Sequence, residues 1–153
     1  MAFRVVAALV VIALIGTLLV GLATGAVLRW RARQMAAAVR DELGPGRVRL
    51  VEPVAELLGL SSAGRNQPRG NGTLAASDEE VLFAMWVPRR TLRINRADIV
   101  AVDTPRSHRG RTRFRPLLRI TYRDGAGRDE RAAWAVGDLD AWLTELGRPS
   151  SGT

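Results

Sequence analysis

GNGTLAASDEEVLFAMWVPRRTLRINRADIVAV, residues 70–102, is the stretch whose reading decides the fold. Its apolar residues fall in short runs broken by turn-forming residues every eight to twelve positions, a spacing that predicts antiparallel strands. Residues 70–76 form one strand, entered through Asn71-Gly72. Residues 81–87 are apolar throughout, as expected of a strand covered on both faces. Leu92 and Ile94 alternate with Arg93 in the next, and residues 99–102 make another.

The same pattern continues outward in both directions. A first strand is expected within residues 47–60. Downstream, Leu118, Ile120 and Tyr122 share one face while Arg119, Thr121 and Arg123 take the other. Residues 131–136 follow, with Ala132, Trp134 and Val136 on one side. That makes seven strands. The chain then changes period: Leu139, Trp142, Leu143 and Leu146 stand at i, i+3, i+4 and i+7, one stripe of a helix capped by Asp138 and ended at Gly147. The stripe is expected to be buried against the open end of the sheet, leaving residues 148–153 as a disordered tail.

Upstream, residues 5–28 run without a charge, broken only by Gly16, Thr17, Gly21, Thr24 and Gly25 among the aliphatics. At about 1.5 Å per residue a helix of this length crosses the ~30 Å hydrocarbon core with some tilt. Backbone groups in lipid must bond internally, so the segment is expected to be helical. Arg29, Arg31, Arg33 and Arg40 follow the run and only Arg4 precedes it, which places the amino terminus outside and the β domain in the cytoplasm, with Trp30 at headgroup level. The alternative is a cleaved signal peptide releasing a secreted or periplasmic β domain, although the apolar run exceeds the usual ~7–15-residue signal core. The helix is expected to continue to Gly44-Pro45-Gly46. The division is then an anchor (1–28), a juxtamembrane helix and linker (29–46) and the β domain (47–147). Ala13, Thr17, Gly21 and Gly25 lie four apart and line a ridge of small residues suited to a second helix, from another membrane protein or another copy.

The chain of 153 residues has room for one such domain and its anchor. It has no cysteine, which excludes disulfides, thiol nucleophiles and thiolate metal sites, and a single histidine. No GxSxG, P-loop, zinc spacing or dinucleotide fingerprint is present, so neither an enzyme nor a metal, cofactor or small-molecule substrate is expected. Glu79-Glu80 and Asp129-Glu130 read as solvated turns, and His108 as an ordinary loop histidine whose neutral form the surrounding cations favour.

The net charge is +8, and all 23 basic residues are arginine. In a meander, alternate connections fall at opposite ends of the sheet. The first, third and fifth carry Arg65 and Arg69, then Arg89 and Arg90, then Arg106, Arg109, Arg111, Arg113 and Arg115, with no acid among them. The others carry Asp78, Glu79 and Glu80, then Arg96 with Asp98, then Asp124, Arg128, Asp129 and Glu130. The nine arginines of the basic end are therefore candidate anion contacts, with anionic lipid headgroups the nearest ligand. Nucleic acid is disfavoured, because Phe114 is the only ring in the basic loop and no stacking platform accompanies the charge.

Seven antiparallel strands closed by one amphipathic helix make a mainly β chain that resembles the bacterial members of the pleckstrin-homology-like (PH-like) superfamily. The resemblance covers residues 47–147 and is carried by GTLAASDEEVLF at 72–83, a hairpin with a polar turn, and LRINRADI at 92–99, the turn into the fifth strand. It implies a seven-stranded barrel or sandwich serving as a non-catalytic binding or adaptor module, tethered to the plasma membrane as a single-pass protein.

Overall fold

The computed structural model describes residues 2–44, 46–64, 67–112 and 114–147, with side chains from Ile12 onward. The chain divides into two compact units, one ending at Gln34 and one starting at Met35. One helix, α1 (Ala2–Leu43), contributes to both.

In the first unit α1 is long and apolar enough to cross a membrane, a property it shares with signal sequences. Ile12, Leu14, Leu18, Leu19, Val20 and Leu22 are all more than half exposed. Thr17 and Thr24 turn their hydroxyls inward, donating to the carbonyls of Ala13 and Val20 at 2.9 and 2.8 Å, which removes two polar groups from the apolar surface.

Among the described residues the second unit holds nine strands, β1 (Val48–Leu60), β2 (Gly70–Ser77), β3 (Glu80–Met85), β4 (Arg90–Asn95), β5 (Ile99–Asp103), β6 (Ser107–His108), β7 (Arg111–Thr112), β8 (Leu118–Arg123) and β9 (Asp129–Ala135), followed by α2 (Leu139–Leu146). Seven form one antiparallel sheet in the order β4-β3-β2-β1-β9-β8-β5. The remaining two, β6 and β7, make a small hairpin inside the β5–β8 connection. The long β1 joins the halves: its first part pairs with β2, and Glu56–Leu60 pairs with β9.

The two halves share one core, because Leu74, Phe83 and Ile94 of one arm cluster with Leu118, Ile120 and Trp134 of the other. Phe83 and Trp134 meet edge to face at 6.0 Å, a geometry that suits their quadrupoles. Gly72 makes room for this, since a Cβ there would stand 2.6 Å from the Phe83 ring. Trp142 of α2 enters the same core, and Asp138 caps the helix by accepting from the Ala141 amide at 3.0 Å.

Strand β3 is covered on both faces. Val81, Phe83 and Met85 point into the main core, while Leu82 packs with Ala75 beneath Val39 and Leu43 of α1. The cover comes from the end of the long helix, so residues 35–43 belong to the β unit's packing. The strand stops at Met85, two residues before the apolar run ends, and Val87 lies in the turn, 77 % exposed.

Candidate anion-contacting end of the β domain

The first, third and fifth connections meet at one end of the sheet. The third turn lies against the start of β2, where the Trp86 amide donates to the Asn71 carbonyl at 2.9 Å. A Cβ on Gly70 would stand 3.3 Å from the Val87 carbonyl. The first and fifth meet at a cleft of about 350 Å³ lined by Gly64, Gln67, Arg69 and Arg109. A narrower apolar slot of about 150 Å³ opens between the first and third, lined by Leu57, Leu60, Pro68, Phe83, Met85 and Leu92, with Arg90 and Thr91 beside them.

Gln67 and Arg69 are held from below by β1. The Gln67 side-chain oxygen accepts from the Leu60 amide at 3.0 Å and the Arg69 Nε donates to the Leu58 carbonyl at 2.9 Å. Both pass over Gly59, whose φ of +136° and lack of a Cβ permit the crossing. Arg109 is placed by the β6–β7 hairpin, in which Arg109 (φ +51°) and Gly110 (φ +75°) form a two-residue turn between His108 and Arg111. This position favours Asn or Gly, and arginine occupies it at a cost of order 1 kcal/mol.

Of the nine arginines singled out in the sequence, Arg69 is half-buried, and Arg89, Arg90, Arg106, Arg109, Arg111 and Arg115 are exposed. Arg65 and Arg113 lie outside the described residues, as does the tail 148–153. The structure brings Arg69 to Arg109 and Arg90 to the first connection. Among the described residues none of the seven forms an ion pair.

The opposite end is charged but balanced. Arg49 grips Asp78 with two hydrogen bonds of 2.7 and 2.8 Å, Arg47 reaches Glu79 at 3.3 Å, Arg93 reaches Glu80 at 2.7 Å and Arg128 reaches Asp124 at 2.9 Å. The Arg49 hydrogen bonds hold Asp78 below the usual carboxylate range, and the Arg128 amide and guanidinium do the same for Asp124. The asymmetry between the ends lies in pairing as well as in sign, because Arg49 and Arg93 come from β1 and β4 and Arg47 from the turn just before β1, outside the connections between strands.

Two residues differ from their sequence reading. His108 is a buried strand residue, 5 % exposed, with Nε2 enclosed and unpartnered. Burial is the main reason its pKa falls, with Arg119 and Arg109 adding to it and a hydrogen bond to the Gly59 backbone opposing. Glu130 is likewise buried in β9 rather than solvated in a turn. It accepts from the Ser61 hydroxyl at 2.6 Å and the Ser62 and Arg131 amides at 3.0 and 2.9 Å. Burial alone would raise its pKa, and these donors outweigh it, so the net shift is downward. Glu130 thereby pins the start of the first connection to β9.

Phe114, after β7, is fully exposed, and Val87 projects from the third turn. Ring identity was legible in the sequence, but the exposure of Val87 was not, since its run reads as strand. Among the described residues no group of three His, Cys, Asp or Glu side chains is placed to hold a metal ion.

No family model matches this chain, and no curated protein matches it.

Proposed function

We propose that this protein is a non-catalytic, single-pass membrane protein that presents a PH-like binding or adaptor domain to the cytoplasm, and that the arginine-bearing end of the domain contacts anionic lipid headgroups. Seven antiparallel strands with a single helix packed into their shared core support the PH-like reading. The apolar α1 and the four arginines after its uncharged run support the anchored, inward-facing one.

The observation that carries the lipid contact is the pairing asymmetry. Asp78, Glu79, Glu80 and Asp124 at the far turns each engage an arginine, whereas the seven described arginines of the first, third and fifth connections engage no acid. A guanidinium without an acid partner keeps donors for phosphate oxygens, even at Arg69, where Nε is already given to the Leu58 carbonyl, and each is worth about 1 kcal/mol near an anionic surface. Arg109 adds to this, because a strained backbone position is retained where the side chain lines a cleft with Arg69.

Flotation of residues 35–153 with vesicles tests the reading. Binding is expected with phosphatidylglycerol-containing vesicles at low salt, absent with neutral phosphatidylcholine, and reduced in R89Q/R90Q/R109Q/R111Q with an unchanged melting temperature. Equal binding to neutral vesicles, or none at low salt, overturns it. N-terminal sequencing of the membrane fraction separates the anchored form from a secreted or periplasmic domain released near Ala26.

A further inference from the structure

We propose that Phe114 and Val87 enter the interfacial layer of an anionic bilayer when the basic end docks, so that the contact is an apolar wedge set within a ring of arginines; this rests on the lipid reading of that end. In the second unit the large apolar side chains left exposed are Val54, Val87, Val100 and Phe114. Val54 and Val100 stand on strands and are about half covered, at 49 and 51 % exposed. The two most exposed, Val87 at 77 % and Phe114 wholly, both lie in connections at the basic end.

A single exposed apolar residue is ordinary, and position is what distinguishes these two. Val87 precedes Pro88, Arg89 and Arg90, and Phe114 is followed by Arg115 with Arg111 three residues before it. Both lie in connections, outside the sheet ladder. A guanidinium bonded to phosphate sits at headgroup depth, and an adjacent ring or branched side chain then lies at the boundary with the acyl chains, the arrangement of interfacial anchors. Charge alone would hold the domain across a hydrated, salt-screened gap. The wedge supplies a component that salt does not remove.

The absence of cysteine makes the test site-specific. Full-length T112C, labelled with a small fluorophore two residues from Phe114, is placed in nanodiscs of phosphatidylcholine with phosphatidylglycerol. Lipids bear a quencher either on the headgroup or high on the acyl chain. Loss of fluorescence with both quenchers is expected, persisting in high salt. In T112C/F114S and T112C/V87S the acyl-chain quenching is expected to fall while headgroup quenching at low salt remains. Headgroup quenching without acyl-chain quenching in the Phe114 protein overturns the wedge and leaves the lipid reading standing. Quenching by neither overturns both. A label at A126C, in the opposite turn, is expected to stay unquenched, and equal quenching there would also overturn the proposal.

Discussion

The Arg96 guanidinium meets the Glu145 carboxylate at 2.6 Å with each side chain under a tenth exposed, and the same Nη2 donates to the Glu145 carbonyl at 3.0 Å. This pair fastens the turn between β4 and β5 to the last turn of α2, and so holds the helix whose Trp142 fills the core. A buried pair contributes through the penalty of breaking it. Glu145→Ala should cost about 3 kcal/mol by leaving a cation without its counter-charge, whereas Arg96→Met with Glu145→Leu should come close to wild type. Thermal melts of the three proteins check this, and a double variant no more stable than the single one would mean that the pair is a net contributor.

Residues 35–43 should stabilise the β unit although they belong to the long helix. Val39 and Leu43 bury Ala75 and Leu82, and Glu42 bonds Arg93 across the same face. A fragment beginning at Met35 should unfold at higher denaturant than one beginning at Gly44, being more stable by roughly the 3–6 kcal/mol of two buried aliphatic side chains. Coincident urea midpoints would show that the helix end only rests on the sheet.

That contrast also marks what the sequence could disclose. The alternation of Leu118, Ile120 and Tyr122 revealed a half-buried strand, and the unbroken 81–87 run revealed two covered faces, because periodicity reports which sides of an element are apolar. It does not report what covers them, and Val39 and Leu43 sit in a helix whose upstream apolar residues hid their role. The β6–β7 hairpin was invisible for another reason: Ser107–Thr112 has no alternation, and its turn is Arg-Gly where the usual signal is Asn-Gly or Asp-Gly. The basic end was legible as composition along the chain, but the pairing of the opposite acids depended on Arg47, Arg49 and Arg93, which only the sheet register brings to them.

Tyr122 is the only tyrosine, and burial, with Glu130 and Asp124 nearby, pushes its pKa up to about 12. Between pH 10 and 12 the folded protein therefore holds a proton that the unfolded chain has released. Stability falls as pH rises through that window, since the unfolded state binds fewer protons there. Absorbance of the phenolate should stay flat past pH 10 in the native protein and titrate near 10 in denaturant. Normal titration without unfolding would place the ring in solvent.

The ridge of Ala13, Thr17, Gly21 and Gly25 gives the last prediction. In the structure Ala13, Thr17 and Gly21 are exposed, a Cβ at Gly21 meets nothing, and one at Gly25 meets only the flexible Arg29 side chain at 3.7 Å. Added side chains thus fit the helix by itself, and any penalty must come from a neighbour in the bilayer. If a second helix packs here, its backbone approaches where side chains are smallest, and Gly21→Leu or Gly25→Leu should abolish crosslinking in membranes while leaving protein levels unchanged. Ile12→Leu, another apolar exchange in the same helix, should leave it intact. Crosslinks that survive both glycine variants would assign any association to the β domain, because the helix would then have no close-packed partner to lose.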